Sequence, residues 1–295
     1  MSEFSAPFTY MGGESKAAPL VWSRFGDPAT YIEPFFGSGA VLLRRPSKPK
    51  HEVINDLDAN LVNFWRAVRF SPALDAKIAA YPVDEITLDA RHRWLYKGVP
   101  ELVEHLRTDP TANDVERAAW WVWGISQWLG SEWMTEKGST SQRIPRVSTK
   151  NGINRFNEEE AAAFLTRLQG RLLKVDILHG DWKRAVAPSI MRPNTAIFLD
   201  PPYADGNYTY AETEGAAEGK KVTDEVVAWA VEHGDQFRIA VCGYVGTMDF
   251  PSSWDAVPWT ANGGLSNLGE TGNRYRERIW FSPSCLAPLS RFDLE

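Results

Sequence analysis

Two strand–turn–helix units follow one another near the amino terminus, and together they restrict the chain to folds with a parallel sheet. Tyr31-Ile32-Glu33-Pro34-Phe35 is a short apolar run that stops at Gly37-Ser38-Gly39, and the amphipathic stretch Ala40–Arg45 follows. Val53-Ile54-Asn55-Asp56 is a second such run, ending in an acid. Asp58 then stands as an N-cap before a helix expected over 59–69, where Leu61, Phe64, Trp65 and Val68 fall at helical spacing. Successive βα units imply parallel strands, because a crossover returns the chain to start the next strand in the same direction.

From about residue 70 to residue 171 no βα unit recurs. That stretch reads as helices over Leu74–Ala80, Val115–Leu129 and Glu158–Gln169, with a long polar loop among them. Strands then resume at Leu173–Leu178, Ala196–Asp200 and Phe237–Gly243. A hairpin is expected from Trp254–Thr260 and Tyr275–Phe281, around a Gly-rich loop at 262–273. The expected organisation is one α/β domain, 1–69 plus 172–295, split by a mainly helical insertion, 70–171.

The 295 residues are 43% hydrophobic and 24% charged, ordinary values for a well-cored globular chain. Two cysteines, Cys242 and Cys285, offer neither a disulfide framework nor metal-ligand spacing, which points to a reducing cytoplasm. The five His also lack metal spacing, so no metal is expected. No apolar run approaches the roughly 20 residues of a membrane span, and the first residues do not read as a signal peptide.

The net charge of −6 speaks mildly against a nucleic-acid partner, but its distribution matters more. Between Lys137 and Asn157 the chain carries Lys137, Arg143, Arg146, Lys150 and Arg155 and no acid. Asp205, Glu212, Glu214, Glu218, Asp224, Glu225, Glu232 and Asp235 concentrate negative charge further on. The basic run is either a solvated loop or a phosphate-binding surface.

The sharpest chemical signal is Asp200-Pro201-Pro202-Tyr203, at the end of the apolar run Thr195–Leu199. Open α/β sheets bind ligands at the carboxyl ends of their strands. Two prolines in a row fix φ and donate no backbone hydrogen bond, so the sheet stops there. What remains is a rigid corner with a carboxylate, carbonyls that only accept, and an aromatic ring. It suits a planar base with an exocyclic amine: Asp200 and the Pro201 carbonyl accept the two N–H groups, and Tyr203 stacks on the ring.

Glu33-Pro34-Phe35-Phe36-Gly37-Ser38-Gly39 is the second signal. Its glycines let backbone approach a bound cofactor, and Asp56 lies about 20 residues on, where doubly wound folds grip ribose hydroxyls. No Gly-Lys-Ser/Thr phosphate loop is present, which disfavours a triphosphate. A third piece is Gly180-Asp181-Trp182: Asp181 can accept from an adenine amine under a covering Trp182, or equally cap a helix.

Other features have competing readings. Trp120, Trp121, Trp123, Trp128 and Trp133 suit a buried core better than a stacking platform. Arg274, Arg276 and Arg278 share one strand face, solvated or turned to phosphate. Ala204–Lys221, directly after the proline corner, is expected to be a flap over it.

With Tyr10-Met11-Gly12-Gly13, Glu-Pro-Phe-x-Gly-Ser-Gly, Asn55-Asp56 and Asp200-Pro201-Pro202-Tyr203 in this order, the chain resembles the Dam-like DNA adenine methyltransferases, the alpha-type D12 class. The resemblance covers roughly residues 8–68 and 172–283. It implies a Rossmann-like S-adenosylmethionine-dependent methyltransferase fold with an inserted DNA target-recognition domain, and methyl transfer to N6 of a flipped adenine in double-stranded DNA. By the same resemblance Tyr10, Gly12, Glu33, Phe35, Gly37, Asp56, Asp181 and Trp182 surround the cofactor, and Asp200, Pro201, Pro202 and Tyr203 act on the base. The family's Gly-Gly-Lys is here Gly12-Gly13-Glu14-Ser15-Lys16, so Lys16 is the shifted cofactor-side lysine and Glu14 the alternative occupant. The resemblance further implies a bacterial cytoplasm or phage-infected host and makes a cognate restriction endonuclease a candidate partner.

Four rivals compete, one of them RNA or a free nucleotide as acceptor, which is weakened by an insertion large enough to embrace a duplex. Cytosine C5 methylation needs a cysteine nucleophile, usually after proline, but Cys242 follows Val241 and Cys285 follows Ser284. Cytosine N4 methylation uses the same amine logic and is the runner-up; Asp before Pro-Pro leans to adenine. An inactive DNA-binding relative is the reading from a different class, and the intact proline corner and glycine turn stand against it.

Overall fold

The structure, a computed structural model, describes residues 4–10, 16–71, 74–129, 133–140, 146–148, 151–202, 216–259 and 277–288. Strands β1 (Thr30–Glu33), β2 (His51–Asp56), β5 (Val175–His179), β6 (Thr195–Leu199), β7 (Arg238–Tyr244), β8 (Asp255–Pro258) and β9 (Glu277–Phe281) form one seven-stranded sheet in the order β5-β2-β1-β6-β7-β9-β8. The first five in that order run parallel, and β9 is antiparallel to both β7 and β8. The parallel core and the terminal hairpin both follow from the sequence pattern. A short antiparallel pair, β3 (Trp128–Leu129) and β4 (Arg146–Val147), stands apart.

Strand side chains alternate between two buried cores. Tyr31, Ile54, Ala196, Phe198, Ala240 and Cys242 enter one; Ile32, Val53, Ile197, Leu199, Ile239 and Val241 enter the other. Burial on both faces is what makes a parallel strand read as a continuous apolar run. The mostly parallel sheet with helices around it is the Rossmann-like arrangement that the sequence resemblance implies.

The helices are α1 (Ala18–Phe25), α2 (Ala59–Phe70), α3 (Ala76–Ala79), α4 (Glu85–Lys97), α5 (Val99–Thr108), α6 (Val115–Ile125), α7 (Glu136–Thr140), α8 (Glu158–Leu172) and α9 (Ala216–His233). Asp58 caps α2 as expected, accepting from the amides of Asn60 and Leu61 at 2.8 and 3.1 Å. The helix expected over Ala40–Arg45 is instead a single 3₁₀ turn at Leu42–Arg44. Arg45 precedes Pro46 and is extended, with φ −54° and ψ 123°; proline pushes the residue before it out of the helical region. The expected flap also changes: α9 begins at Ala216, inside it, while 204–215 lie outside the described residues. So does the Gly-rich loop 262–273.

The helices between residues 70 and 171 share a core with α2. Trp121, fully buried, meets Phe8 edge-on at 5.0 Å between ring centroids and lies 5.8 Å from Phe64. Trp120 and Trp123 are buried too, while Trp128 and Trp133 are half-buried against the ring of His92. Polar side chains of α2 add tethers. Asn63 exchanges two hydrogen bonds with the Asp114 backbone, at 2.9 and 2.7 Å, and Arg66 donates to the carbonyls of Leu106 and Asp109.

The far end of this stretch is anchored by charge. Glu52 of β2, 1% exposed, accepts from Arg171 of α8 at 2.6 and 3.0 Å and from Arg45 at 3.2 Å. Removing Glu52 takes the carboxylate from the buried Arg171 guanidinium, while Arg45 keeps Asp27 at 3.1 Å. Glu52→Ala should therefore cost about 3–5 kcal/mol. A calorimetric melting point lower by roughly 6 °C or more is expected. A variant melting within about one degree of wild type would show that the cluster is not a tie.

Candidate active site

β1 lies between β2 and β6, and the chain departs from these neighbours in opposite directions along the sheet, β2 toward β5 and β6 toward β7. At such a switch point the loops after the two central strands diverge and open a crevice outside their carboxyl ends. Ile32 pairs with Ile197. β1 ends at Glu33 and its parallel neighbour β6 at Leu199, so the Glu33–Gly39 turn and Asp200 leave the same edge of the sheet.

The glycine turn after β1 is fastened on both sides. Gly37 N donates to Asp56 Oδ2 at 3.0 Å, and the Gly37 carbonyl accepts from Trp65 Nε1 at 3.1 Å. Phe36 N donates to the Asn55 carbonyl at 3.0 Å. Gly37 and Gly39 hold φ of 49° and 68°, a region that glycine enters without strain. A Cβ on Gly37 would stand 3.0 Å from the Tyr10 ring, and one on Gly39 2.6 Å from the Phe36 ring. The glycines thus make room for the chain's own aromatic rings, which the sequence did not reveal. They also bring Tyr10 and Gly37 together.

Asp56 is half-buried, and its Oδ1 accepts from Asp58 N at 3.1 Å. Burial raises its carboxyl above the ordinary aspartate value against the pull of the surrounding amides. Burial, and then the Asp56 charge, push neighbouring Asp58 up to about 7. Glu33 is 2% exposed and accepts from Tyr31 Oη at 2.8 Å. Burial first, with the charges of Asp200 and Glu52 adding, holds its carboxyl well above the ordinary range.

On the β5 side, Asp181 is exposed and caps a 3₁₀ turn at Trp182–Arg184, accepting from Lys183 N at 2.8 Å. Trp182 is buried and packs nearly parallel to Phe35, centroids 6.1 Å apart. Asn55 links the two walls. It is 1% exposed, and its Nδ2 donates to the Pro34 carbonyl at 3.1 Å and to the Gly180 carbonyl at 2.8 Å.

The proline corner follows β6, every residue of which is buried. Asp200 is half-buried and Pro201 buried, while the Pro202 carbonyl accepts from Thr223 Oγ1 of α9 at 2.8 Å. From the sequence Asn55 has no role of its own beyond its place in the motif Asn55-Asp56, and nothing points to Thr223 at all. A polar residue within the apolar run Val53–Ile54 at a strand end is the signal that Asn55 offered; Thr223 offered none. Tyr203 lies outside the described residues.

The remaining expected residues are scattered. Lys16 is exposed just before α1, and Gly12 lies outside the described residues. In the basic run, Lys137 sits on α7 and Arg146 on β4; Arg143 and Lys150 lie outside the described residues. Arg155 is exposed, donating to Ser5 Oγ at 2.8 Å and covering the Phe156 ring at 4.6 Å. Arg278 is half-buried, and Arg274 and Arg276 are outside the described residues. Among the described residues no group of three or more His, Cys, Asp or Glu is placed to hold a metal ion, and no helix is long and apolar enough to cross a membrane.

The crevice at the β1/β6 switch point has the same motif order as a known family. A family model for D12 class N6 adenine-specific DNA methyltransferases matches residues 10–228, from Tyr10 through the proline corner into α9. The chain belongs to that family and is an adenine-specific DNA methyltransferase.

Proposed function

We propose that the enzyme moves a methyl group from S-adenosylmethionine to N6 of an adenine turned out of duplex DNA, with Asp200 as the group that engages the amine. One observation supports this reading: β1 and β6 are parallel neighbours, so the segments that carry the glycine turn and Asp200 both leave the carboxyl end of the sheet.

The residues around the glycine turn fit an adenosine-bearing cofactor by the chemistry of their donor set. Asp56 keeps a solvent-facing edge for ribose hydroxyls while its oxygens hold the amides of Gly37 and Asp58. Asp181 is an exposed acceptor at the next strand end, suited to an adenine amine. Tyr10, Phe35 and Trp182 supply the apolar wall, and the sequence resemblance adds Gly12 and Lys16 to the cofactor residues. When bound, S-adenosylmethionine supplies an electrophilic methyl group.

The protein's task is to make a poor nucleophile attack. An aromatic amine delocalises its lone pair into the ring, so its nitrogen is flat and weakly nucleophilic. The Asp200 carboxylate and the Pro201 carbonyl accept the two N–H groups and favour the tetrahedral, electron-rich nitrogen of the transition state. Pro201 and Pro202 hold that geometry rigid, and Tyr203 stacks on the base. Asp200, or a water beyond it, takes the proton released from nitrogen. Burial favours the neutral form of Glu33, which lessens the negative charge beside Asp200.

Base sequence would be read by the 70–171 stretch, with Lys137, Arg143, Arg146, Lys150 and Arg155 on DNA phosphates. An acidic protein must concentrate its attraction for DNA, because salt screens charges more than about 10 Å away.

Asp200→Ala is expected to lower methyl transfer at least about 100-fold. Its melting point and S-adenosylmethionine affinity should stay near wild type. Activity within about threefold of wild type would remove Asp200 from the chemistry. Neutralising Arg143, Arg146 and Lys150 together should flatten the slope of log affinity against log salt by roughly two to three units. An unchanged slope and unchanged sequence preference in DNA titrations would show these residues to be a solvated loop.

A further inference from the structure

Asn55 stands where three strand-end segments meet. Its backbone carbonyl accepts from Phe36 N at 3.0 Å, and its side-chain amide donates once to Pro34 and once to Gly180, in the segments after β1 and β5. The adjacent Asp56 completes the junction: its carbonyl accepts from Gly180 N and its carboxylate from Gly37 N, both at 3.0 Å. Both atoms facing the Asn55 amide are carbonyl oxygens, which only accept, so the NH₂ end must point at them. Its Oδ1 is buried and has no hydrogen-bond partner among the described residues. A buried amide that leaves one end unsatisfied in order to donate twice from the other is retained for those two donors.

The two segments it joins carry opposite walls of the crevice. Pro34 leads into Phe35 and Gly37, and Gly180 into Asp181 and Trp182. Gly180 itself has φ of 121°, a conformation foreign to other residues, so its carbonyl is aimed by a glycine as well as held by Asn55.

We propose that Asn55 is the positioning residue that sets the width of the cofactor crevice, by hydrogen-bonding the Pro34 and Gly180 carbonyls from a single amide. Asn55 reaches the cofactor only through the backbone it holds. The proposal rests on the cofactor reading above, and its test separates the two.

Asn55→Asp keeps size and shape but turns an acceptor toward two acceptors. A carboxylate in that place is repelled, and burial beside carbonyl oxygens raises its proton affinity. Protonation restores one of the two donors. S-adenosylmethionine binding, followed by calorimetry from about pH 6 to about pH 9, should therefore be weaker than wild type by roughly tenfold or more at the alkaline end. Asp58, at about 7, and the raised Asp56 give the wild type a pH response of its own, so affinity is taken as a ratio to wild type at each pH. That ratio should recover as pH falls, a change that Asn55→Ala does not show. Asn55→Ala, which removes the donors without adding charge, should bind weakly throughout and covers the case in which Asn55→Asp does not fold. Amide hydrogen exchange on the unloaded proteins gives a second readout independent of the cofactor. Faster exchange should appear at 35–37 and 180–182 in both variants, with β6 and β7 unchanged.

Wild-type affinity in Asn55→Asp at alkaline pH, or wild-type exchange at both segments, would overturn the proposal. A wild-type protein that does not bind S-adenosylmethionine, while both segments still loosen in the variants, would refute the cofactor reading and leave the tether standing.

Discussion

Gly37 can donate to Asp56 only because β1 and β2 run parallel and adjacent, so that their carboxyl ends arrive together. That bond, with Trp65 on the Gly37 carbonyl and Asn55 on the carbonyls of Pro34 and Gly180, turns three strand ends into one rigid rim. Each hydrogen bond contributes only about 0.5–1.5 kcal/mol net, but an unmade one in a buried place costs more than a made one gains. The rim is therefore cooperative. Across the switch point the proline corner completes it from β6, held by Thr223 of α9. A reaction that depends on aiming two acceptors at one amine needs that rigidity before substrate arrives.

The same geometry explains the two acids at the mouth. Glu33 is buried with Tyr31 as hydrogen-bond donor, and burial raises its carboxyl well above the ordinary range. Asp200 stands half-buried at the neighbouring strand end. Two carboxyl groups in one crevice can differ in charge when one is sealed and the other faces substrate. The glycines serve this architecture as well, since the space beside Gly37 and Gly39 is filled by Tyr10 and Phe36.

Much of this was legible in the chain itself. The run Ala196–Leu199 is apolar at every position because both faces of β6 are buried, and two prolines mark its end without ambiguity. Asp58 announced α2 through local capping chemistry. The helix after Gly39 was misread because Pro46 acts on Arg45 more strongly than the amphipathic pattern does. Helix α4 escaped notice since its buried positions are Leu88, His92 and Leu95, and a histidine hides the apolar stripe. Asn55 and Thr223 reach partners about 21 residues or more away, a relation set by sheet order rather than by local pattern. The helices of the 70–171 stretch share an aromatic core with α2 through Trp121, Phe64 and Phe8, a packing that no local pattern announces.

The central claim is that the Asp200 corner directs a methyl group to the amine of adenine. Its most direct test supplies the wild-type enzyme with duplex DNA and S-adenosylmethionine carrying a deuterated methyl group, then digests the DNA to nucleosides for mass spectrometry. The account predicts label on deoxyadenosine at N6 and none on deoxycytidine. Label on cytosine N4, or DNA left unlabelled by a folded enzyme that binds both substrates, would contradict it.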